Sequence, residues 1–373
     1  MRVSASGTVT TIGLVTYRAP QWDGKGDQRR AAEIRDSLGD MGEVVVVVHR
    51  APGRTVALAR FAHHLLGNPG LPLQVAWVRS SRPLDLDRQL EACDVCVFVT
   101  GRVVPDILPQ RSVVDFIDSL GLAASRRAVL SRGPARLFWT LEARRMRRWE
   151  SGIARRASRA VAVSSVDAEA IHPAVSVIPL ALRPSPPVSP TLVRDRVVFT
   201  GILRFGPNTV AANWVCDALV PALARRGISP ARVLIAGRKP PKSVRDHARR
   251  AGVELRADVP SVADVLGEAA VALAPISLAT GMQSKVLEAV AARVPVVMTP
   301  LAAEGLSLRD GRSAYIRDLE ADPIAEAVVA LLSDGELRSR LAEQALIDCR
   351  HLHPHRVGTK WQALVDHALS TVA

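Results

Sequence analysis

Short apolar runs recur along the chain, each closed by Gly, Pro, Asn or Asp and each followed by a stretch with helical spacing. In the first half the pattern predicts strands over 10–17, 43–49, 73–78, 95–100 and 112–117. Helices are predicted over 27–38, 55–66, 86–92 and 134–157. A second block repeats it, with strands over 196–200, 232–236, 253–256, 271–274 and 294–298, and helices over 241–251 and 281–292. Helices over 322–332, 336–350 and 355–370 close the chain. Strand and helix in alternation are the grammar of open parallel sheets covered by helices. The one strongly Pro-rich segment, 179–190, divides the two blocks. The expected organisation is therefore α/β, with two Rossmann-like doubly wound parallel-sheet domains: 1–180, a linker over 181–194, and 195–350. Residues 351–373 are expected as a terminal helix packing back on the first domain.

The stretch Thr280 to Val297, TGMQSKVLEAVAARVPVV, organises the candidate chemistry. An apolar strand ending at Pro275 leads into the loop Ser277 to Gly281 and then a helix. Anions bind at such corners, where a strand's carboxyl end meets a helix amino terminus. Lys285 and Glu288, three apart, share a helical face beside that corner; spacing alone favours an ordinary helix-surface ion pair. Gly201, at a strand end before Pro207-Asn208, suits close approach of a phosphate. The loop Arg18 to Arg30, containing Asp23, Gly24, Lys25, Gly26 and Asp27, feeds the first helix. It is neither a Walker loop nor the three-glycine dinucleotide fingerprint, and a plain turn explains it as well as a ligand does.

Other features read more modestly. Asp85 and Asp87 have the spacing of a metal-holding pair, but they sit at a helix start that acidic residues suit anyway. Asp118 follows the strand at 112–117 and either meets a hydroxyl or caps the next helix, with Asp115 two residues earlier on the same face. Arg144, Arg145, Arg147, Arg148, Arg155 and Arg156 crowd the helix at 134–157, with Trp139 and Trp149 interleaved. Glu142 and Glu150 cannot neutralise them all, so this surface is a scaffold face, a membrane-interface helix or a nucleic-acid patch. His351, His353 and His355 alternate without a carboxylate or cysteine partner and read as a helix-start loop. Cys93, Cys96, Cys216 and Cys349 are expected as reduced thiols, since no second pair completes a zinc site.

The pattern G-x-x-x-K-V-L-E-A-x-A-A-x-x-P-V-V beginning at Gly281 resembles the donor-binding segment of retaining glycosyltransferases with the GT-B fold, family 4 and its relatives. A subgroup of bacterial sugar transferases related to exosortase-associated enzymes looks closer still. The likeness extends to Thr299 to Leu306, to the loop at 17–30 and to 141–164. It implies two domains facing across a cleft, a nucleotide-diphosphate sugar as co-substrate, retention of configuration, and no cofactor or essential metal. It assigns Lys285 and Glu288 to catalysis, with Asp118 where many relatives carry a His. On the donor side it assigns Gly201, Arg204, Gly237, Val259, Thr280, Gly281, Gln283, Ser284 and Glu304. Gly24, Lys25, Gly26, Asp27 and Arg30 become the acceptor and phosphate loop. Three positions depart from the pattern: Thr280 replaces the first of two glutamates, Asp118 replaces the His, and Ile202 replaces an Arg, leaving Arg204 and Lys285 as substitutes.

Composition fits this picture. At 373 residues with 48% hydrophobic content the chain can bury two cores. A net charge of +13, Arg-rich and Lys-poor, is explained as well by the codon usage of a GC-rich genome as by an anionic ligand or surface. No segment has the length and apolarity of a membrane span, and the start lacks a signal sequence, so a cytoplasmic protein is expected, with contact to the inner face of the membrane. The expected partners are a nucleotide sugar and a glycan, lipid-linked or small-molecule acceptor, and no nucleic acid. Rival readings are a GT-B sugar-nucleotide epimerase, a noncatalytic relative, and a basic nucleic-acid-binding protein, the last lacking any stacking motif.

Overall fold

The computed structural model describes residues 9–22, 24–49, 54–68, 70–83, 85–185 and 194–370. Asp23 and residues 186–193 of the expected linker lie outside them. The chain forms two compact units, Met1–Ala181 with Pro354–Ala373, and Leu182–His353.

The first unit runs β1 (Thr11–Thr16), α1 (Gly26–Leu38), β2 (Glu43–Val48), α2 (Arg54–Gly67), α3 (Leu73–Arg79), α4 (Leu86–Glu91), β3 (Val95–Val99), β4 (Ser112–Asp115), α5 (Leu120–Leu130), α6 (Gly133–Arg156), β5 (Arg159–Ala162), α7 (Ser165–Ile171) and β6 (Ser176–Val177). Its strands form a parallel sheet in the order β2-β1-β3-β4-β5-β6. Ile12, Leu14, Val97 and Val99 are buried on one side of this sheet with Ile34 and Leu38 of α1. Each such side chain contributes about 1.5–3 kcal/mol by leaving water.

The second unit runs β7 (Arg196–Ile202), α8 (Gly206–Trp214), α9 (Val220–Ala224), β8 (Val233–Arg238), α10 (Lys242–Ala251), β9 (Glu254–Ala257), α11 (Val262–Gly267), β10 (Ala269–Ala274), α12 (Ser284–Ala291), β11 (Val296–Met298), α13 (Pro300–Ala303), β12 (Tyr315–Ile316), α14 (Ala321–Ser333) and α15 (Gly335–Asp348). A π-helical turn, Val215–Leu219, joins α8 to α9. The parallel sheet has the order β12-β11-β10-β7-β8-β9. The chain then returns to the first unit as α16 (Pro354–Ser370), whose stripe Val357, Trp361, Val365 and Ala368 is fully buried in the same cluster as β1 and α1.

The segment expected as a strand at 73–78 is a helix instead. Its alternation LQVAWV suits either state, and tertiary contacts decide. Leu71, Val75 and Ala76 pack on Met146 of α6, and the Glu142 carboxylate accepts the Leu73 N–H at 2.7 Å, satisfying a donor that a helix start leaves open.

Glu142 and Glu150 are themselves not surface counter-charges. Both are buried. Glu150 accepts Leu120 N at 2.6 Å, Gly121 N at 3.2 Å and Ser119 Oγ at 3.1 Å. Two carboxylates on one face of α6 thus close the amino termini of α3 and α5. Burial pushes Glu150 up to about 7, against the pull of these donors.

All four cysteines are free thiols, with Cys96, Cys216 and Cys349 buried.

Candidate functional site

In the second unit the strand order reverses between β7 and β10, since the chain winds outward from β7 through β8 and β9 and then restarts on the other side at β10. Crevices outside the carboxyl ends of the strands at such a point are where open α/β sheets bind ligands. Across this edge the parallel strands deliver, in spatial order, Glu304 beyond β11, the loop 275–283 beyond β10, Gly201 and Arg204 at the end of β7, Gly237 in β8, and Val259 beyond β9.

Lys285 spans the reversal. From the first turn of α12 its Nζ donates to Asn208 Oδ1 of α8 at 2.6 Å and lies 4.3 Å from the centre of the Phe199 ring of β7. Desolvation pulls this ammonium down to about 7, against the opposing pull of the Glu288 carboxylate. Asn208 is held in turn, its Nδ2 donating to Ile202 O at 3.1 Å.

Gly201 and Gly237 are register partners. A Cβ at Gly237 would lie 1.8 Å from the Gly201 carbonyl oxygen, and one at Gly201 2.8 Å from the Asn208 amide nitrogen. Backbone replaces side chain along this rim, which leaves main-chain groups within reach of a ligand. The two helices flanking the reversal, α8 and α12, begin at Phe205 and Gln283 with no side-chain cap. In the same unit α11, α13 and α15 are capped by Ser261, Thr299 and Asp334, while α10 and α14, like α8 and α12, have no side-chain cap. Open helix amino termini carry partial positive charge and free N–H groups.

Gly281 takes the left-handed conformation, φ 69°, just before Gln283 and Ser284 open α12, and Thr280 is half-buried beside it. Arg204 is exposed in the turn leading into α8. Val259 follows Asp258, which ties this loop to the rim through Asp258 N to Gly237 O at 2.8 Å. Glu304 ends α13, whose amino terminus Thr299 caps through Ala302 N.

The candidates of the first unit fare differently. Arg30 is fully buried: Nε donates to Asp115 at 2.8 Å, Nη1 to Glu33 at 2.5 Å and Pro179 O at 2.9 Å, and Nη2 to Ile178 O at 2.6 Å. Its guanidinium stacks 4.9 Å from the Trp361 ring. Despite the desolvation, Asp115 and Glu33 hold Arg30 above its usual range. Arg30 therefore ties β4, α1, α16 and the segment after β6 together and does not face a ligand. Asp115 is likewise withdrawn into this cluster.

Asp27 pairs with Arg18 at 2.7 Å, while Gly24, Lys25 and Gly26 lie at the start of α1. Gln28, absent from the sequence candidates, folds this loop: its side chain bonds Ala19 O at 3.0 Å, Gln21 at 2.9 Å and Lys25 N at 3.2 Å. Asp118 does not cap α5. Ser119 does, accepting Leu122 N at 3.0 Å. Thr100 and Ile117, ending the adjacent strands β3 and β4, have φ of 73° and 64°, a strain of about 1–3 kcal/mol each of the kind that gathers at working sites. Asp85 bonds Gln89 and Asp87 pairs with Arg82, so that acidic doublet is engaged locally. Asn208 and Gln28 escaped the sequence reading because amides carry no charge pattern; the Pro-Asn helix start was the one available signal for Asn208.

The sequence profile of the family described as "Glycosyl transferases group 1" matches residues 194–334, most of the second unit. No curated protein sequence is significantly similar to the chain. Among solved structures, sucrose-phosphate synthase from Thermosynechococcus elongatus superposes with a TM-score of 0.68 at 13% identity, over 95% of this chain and 98% of that one. The UDP-forming alpha,alpha-trehalose-phosphate synthase from Burkholderia vietnamiensis gives 0.67 at 12%, over 98% and 99%. Anabaena HepE in complex with UDP and glucose gives 0.65 at 13%, over 96% and 99%. At these identities the likeness is one of fold. The fold is GT-B, two Rossmann-like units each built on a six-stranded parallel sheet.

Proposed function

We propose that the protein is a glycosyltransferase that moves a sugar from a nucleotide-diphosphate donor to a hydroxyl acceptor with retention of configuration. The observation that carries this reading is the Lys285 ammonium set across the strand reversal against Asn208, beside the Gly201–Gly237 rim and two uncapped helix starts. The group 1 profile over the same unit supports it. The leaving diphosphate gathers negative charge in the transition state, and donors fixed in place beforehand stabilise that charge most effectively. Lys285, Arg204 and the N–H groups of α8 and α12 supply them, with no divalent ion required. An arriving diphosphate restores the proton that desolvation takes from Lys285.

Glu288 holds the donor sugar or ribose. Thr280, Gly281, Gln283 and Ser284 line the approach to α12, the backbone at Val259 meets the base, and Glu304 takes a ribose or sugar hydroxyl. Asp118 and the Gly24 to Asp27 loop serve the acceptor, a glycan, a lipid-linked sugar or a small molecule. The proposed compartment is the cytoplasm. Because HepE was solved with UDP and glucose, a UDP-hexose is the first donor to try.

The test incubates purified protein with radiolabelled nucleotide sugars and a membrane extract. Transfer of label into a glycoside, with the α or β configuration of the donor preserved by NMR, is the expected result. An epimerised nucleotide without glycoside, or an intact donor under every condition, refutes the reading. Glu288→Gln and Lys285→Ala each lower turnover at least about tenfold.

A further inference from the structure

We propose that the tip of the α5–α6 hairpin is a docking surface that seats on an anionic phospholipid bilayer. α6 begins well before its first buried side chain. None of residues 133–141 is buried, so about 13 Å of helix at 1.5 Å per residue projects beyond the first inward-facing residue, Glu142. The projecting part is apolar where water meets it. Val129 and Leu130 at the end of α5 are 81% and 62% exposed, and Leu137 of α6 is 63% exposed, with Phe138 and Leu141 exposed beside it. Phe138 packs edge-on to Trp139, whose ring lies under the Arg127 guanidinium at 4.7 Å. A soluble surface scatters such residues singly; grouped at a protruding end, they mark a contact site.

Charge identifies the occupant. Between residues 119 and 149 the chain carries eight arginines and a single carboxylate, Glu142. That carboxylate is turned inward onto Leu73 N and among the described arginines reaches only Arg145, at 3.8 Å, so it neutralises little of the outer face. Leu137, Leu141, Arg144 and Arg148 follow one another along one exposed stripe of α6. Aliphatic and aromatic tips ringed by arginine match the acyl boundary and phosphate layer of an anionic leaflet. A second copy of the chain would bring the same arginines face to face and repel them. A nucleic acid would meet the arginines but gain little from covering Val129, Leu130 and Leu137.

The experiment measures co-sedimentation with vesicles of phosphatidylcholine alone and of phosphatidylcholine mixed with phosphatidylglycerol. The expected result is binding to the anionic vesicles only. It is weakened about tenfold or more by Arg132→Gln with Arg136→Gln, and by Leu137→Ser with Phe138→Ser. Both double variants keep the wild-type melting temperature, since all four side chains face water. Arg245→Gln with Arg250→Gln, which removes the same charge from α10, retains wild-type binding. Equal loss in this α10 variant assigns the effect to net charge and overturns the proposal. Duplex DNA binding that ignores the Leu137 and Phe138 changes, or a dimer that those changes dissociate without any vesicle binding, overturns it as well.

Discussion

The strongest local determinant is a half-buried lysine whose charge is disfavoured by desolvation. Lys285 ionises near 7, while in the unfolded chain it keeps its proton to about 10.5. Between those values the unfolded state binds more protons, so stability rises with pH across that window; Lys285→Met should flatten the rise in urea melts at pH 7 and pH 9. Donor binding has the opposite sign. The ammonium form is the minority above pH 7, and affinity for a nucleotide diphosphate should fall by up to about tenfold per pH unit there, with proton uptake visible by calorimetry in buffers of different ionisation enthalpy. Asn208→Ala, which removes the acceptor at 2.6 Å, should lower kcat/KM about tenfold while leaving the fold intact. Gly237→Ala is expected to do the reverse, costing about 3 kcal/mol or more in chemical denaturation, because its Cβ has no room beside Gly201 O. Lys285, Gly201 and Gly237 could be picked from sequence because charge and glycine at strand ends stand out there. Arg30 could not be placed correctly, since its loop position says nothing of Asp115, Glu33 and Trp361, which come from distant parts of the chain.

At the level of elements, α6 explains both a success and a failure of pattern reading. Its length and its arginine face follow from composition and spacing. What the spacing conceals is that Glu142 and Glu150, two turns apart on the inward face, serve other helices. One of these, α3, takes its helical state from that contact, and its own alternating sequence pointed to a strand. Glu150→Ala should destabilise the first unit by about 2–4 kcal/mol, because Leu120 N, Gly121 N and Ser119 Oγ lose a shared buried acceptor. A denaturation midpoint within error of wild type would contradict this assignment. The β strands of both units were readable with few errors because buried parallel strands are short apolar runs with sharp ends, whereas short amphipathic helices such as α3 depend on what they meet.

On the scale of the whole molecule, both sheets restart beside their first strand: the first returns from β2 to place β3 on the other side of β1, and the second returns from β9 to place β10 on the other side of β7. Open α/β sheets bind ligands at such reversals, and the glycine rim and Lys285 lie at the second of them. A saturating nucleotide sugar, at a hundred times its dissociation constant, should stabilise the protein by about 2.7 kcal/mol, read as a thermal shift, and EDTA should leave turnover unchanged within about twofold. Loss of activity on chelation would point to a cation in place of Lys285 and Arg204. Alternation of strand and helix was enough to recognise the fold class, but the pairing of Lys285 with Asn208 needs the two halves of a split sheet brought together, and no local pattern encodes it.

The return of α16 to the opening unit also sets an order of manufacture. Trp361 and Val357 complete the core around β1 and α1, so that core stays unfinished until α16, translated after all of Leu182–His353, has left the ribosome. The middle of the chain, Leu182–His353, has all its strands available earlier and can close without waiting. A chain halted at His353 should therefore present a protease-sensitive leading half attached to a resistant trailing one.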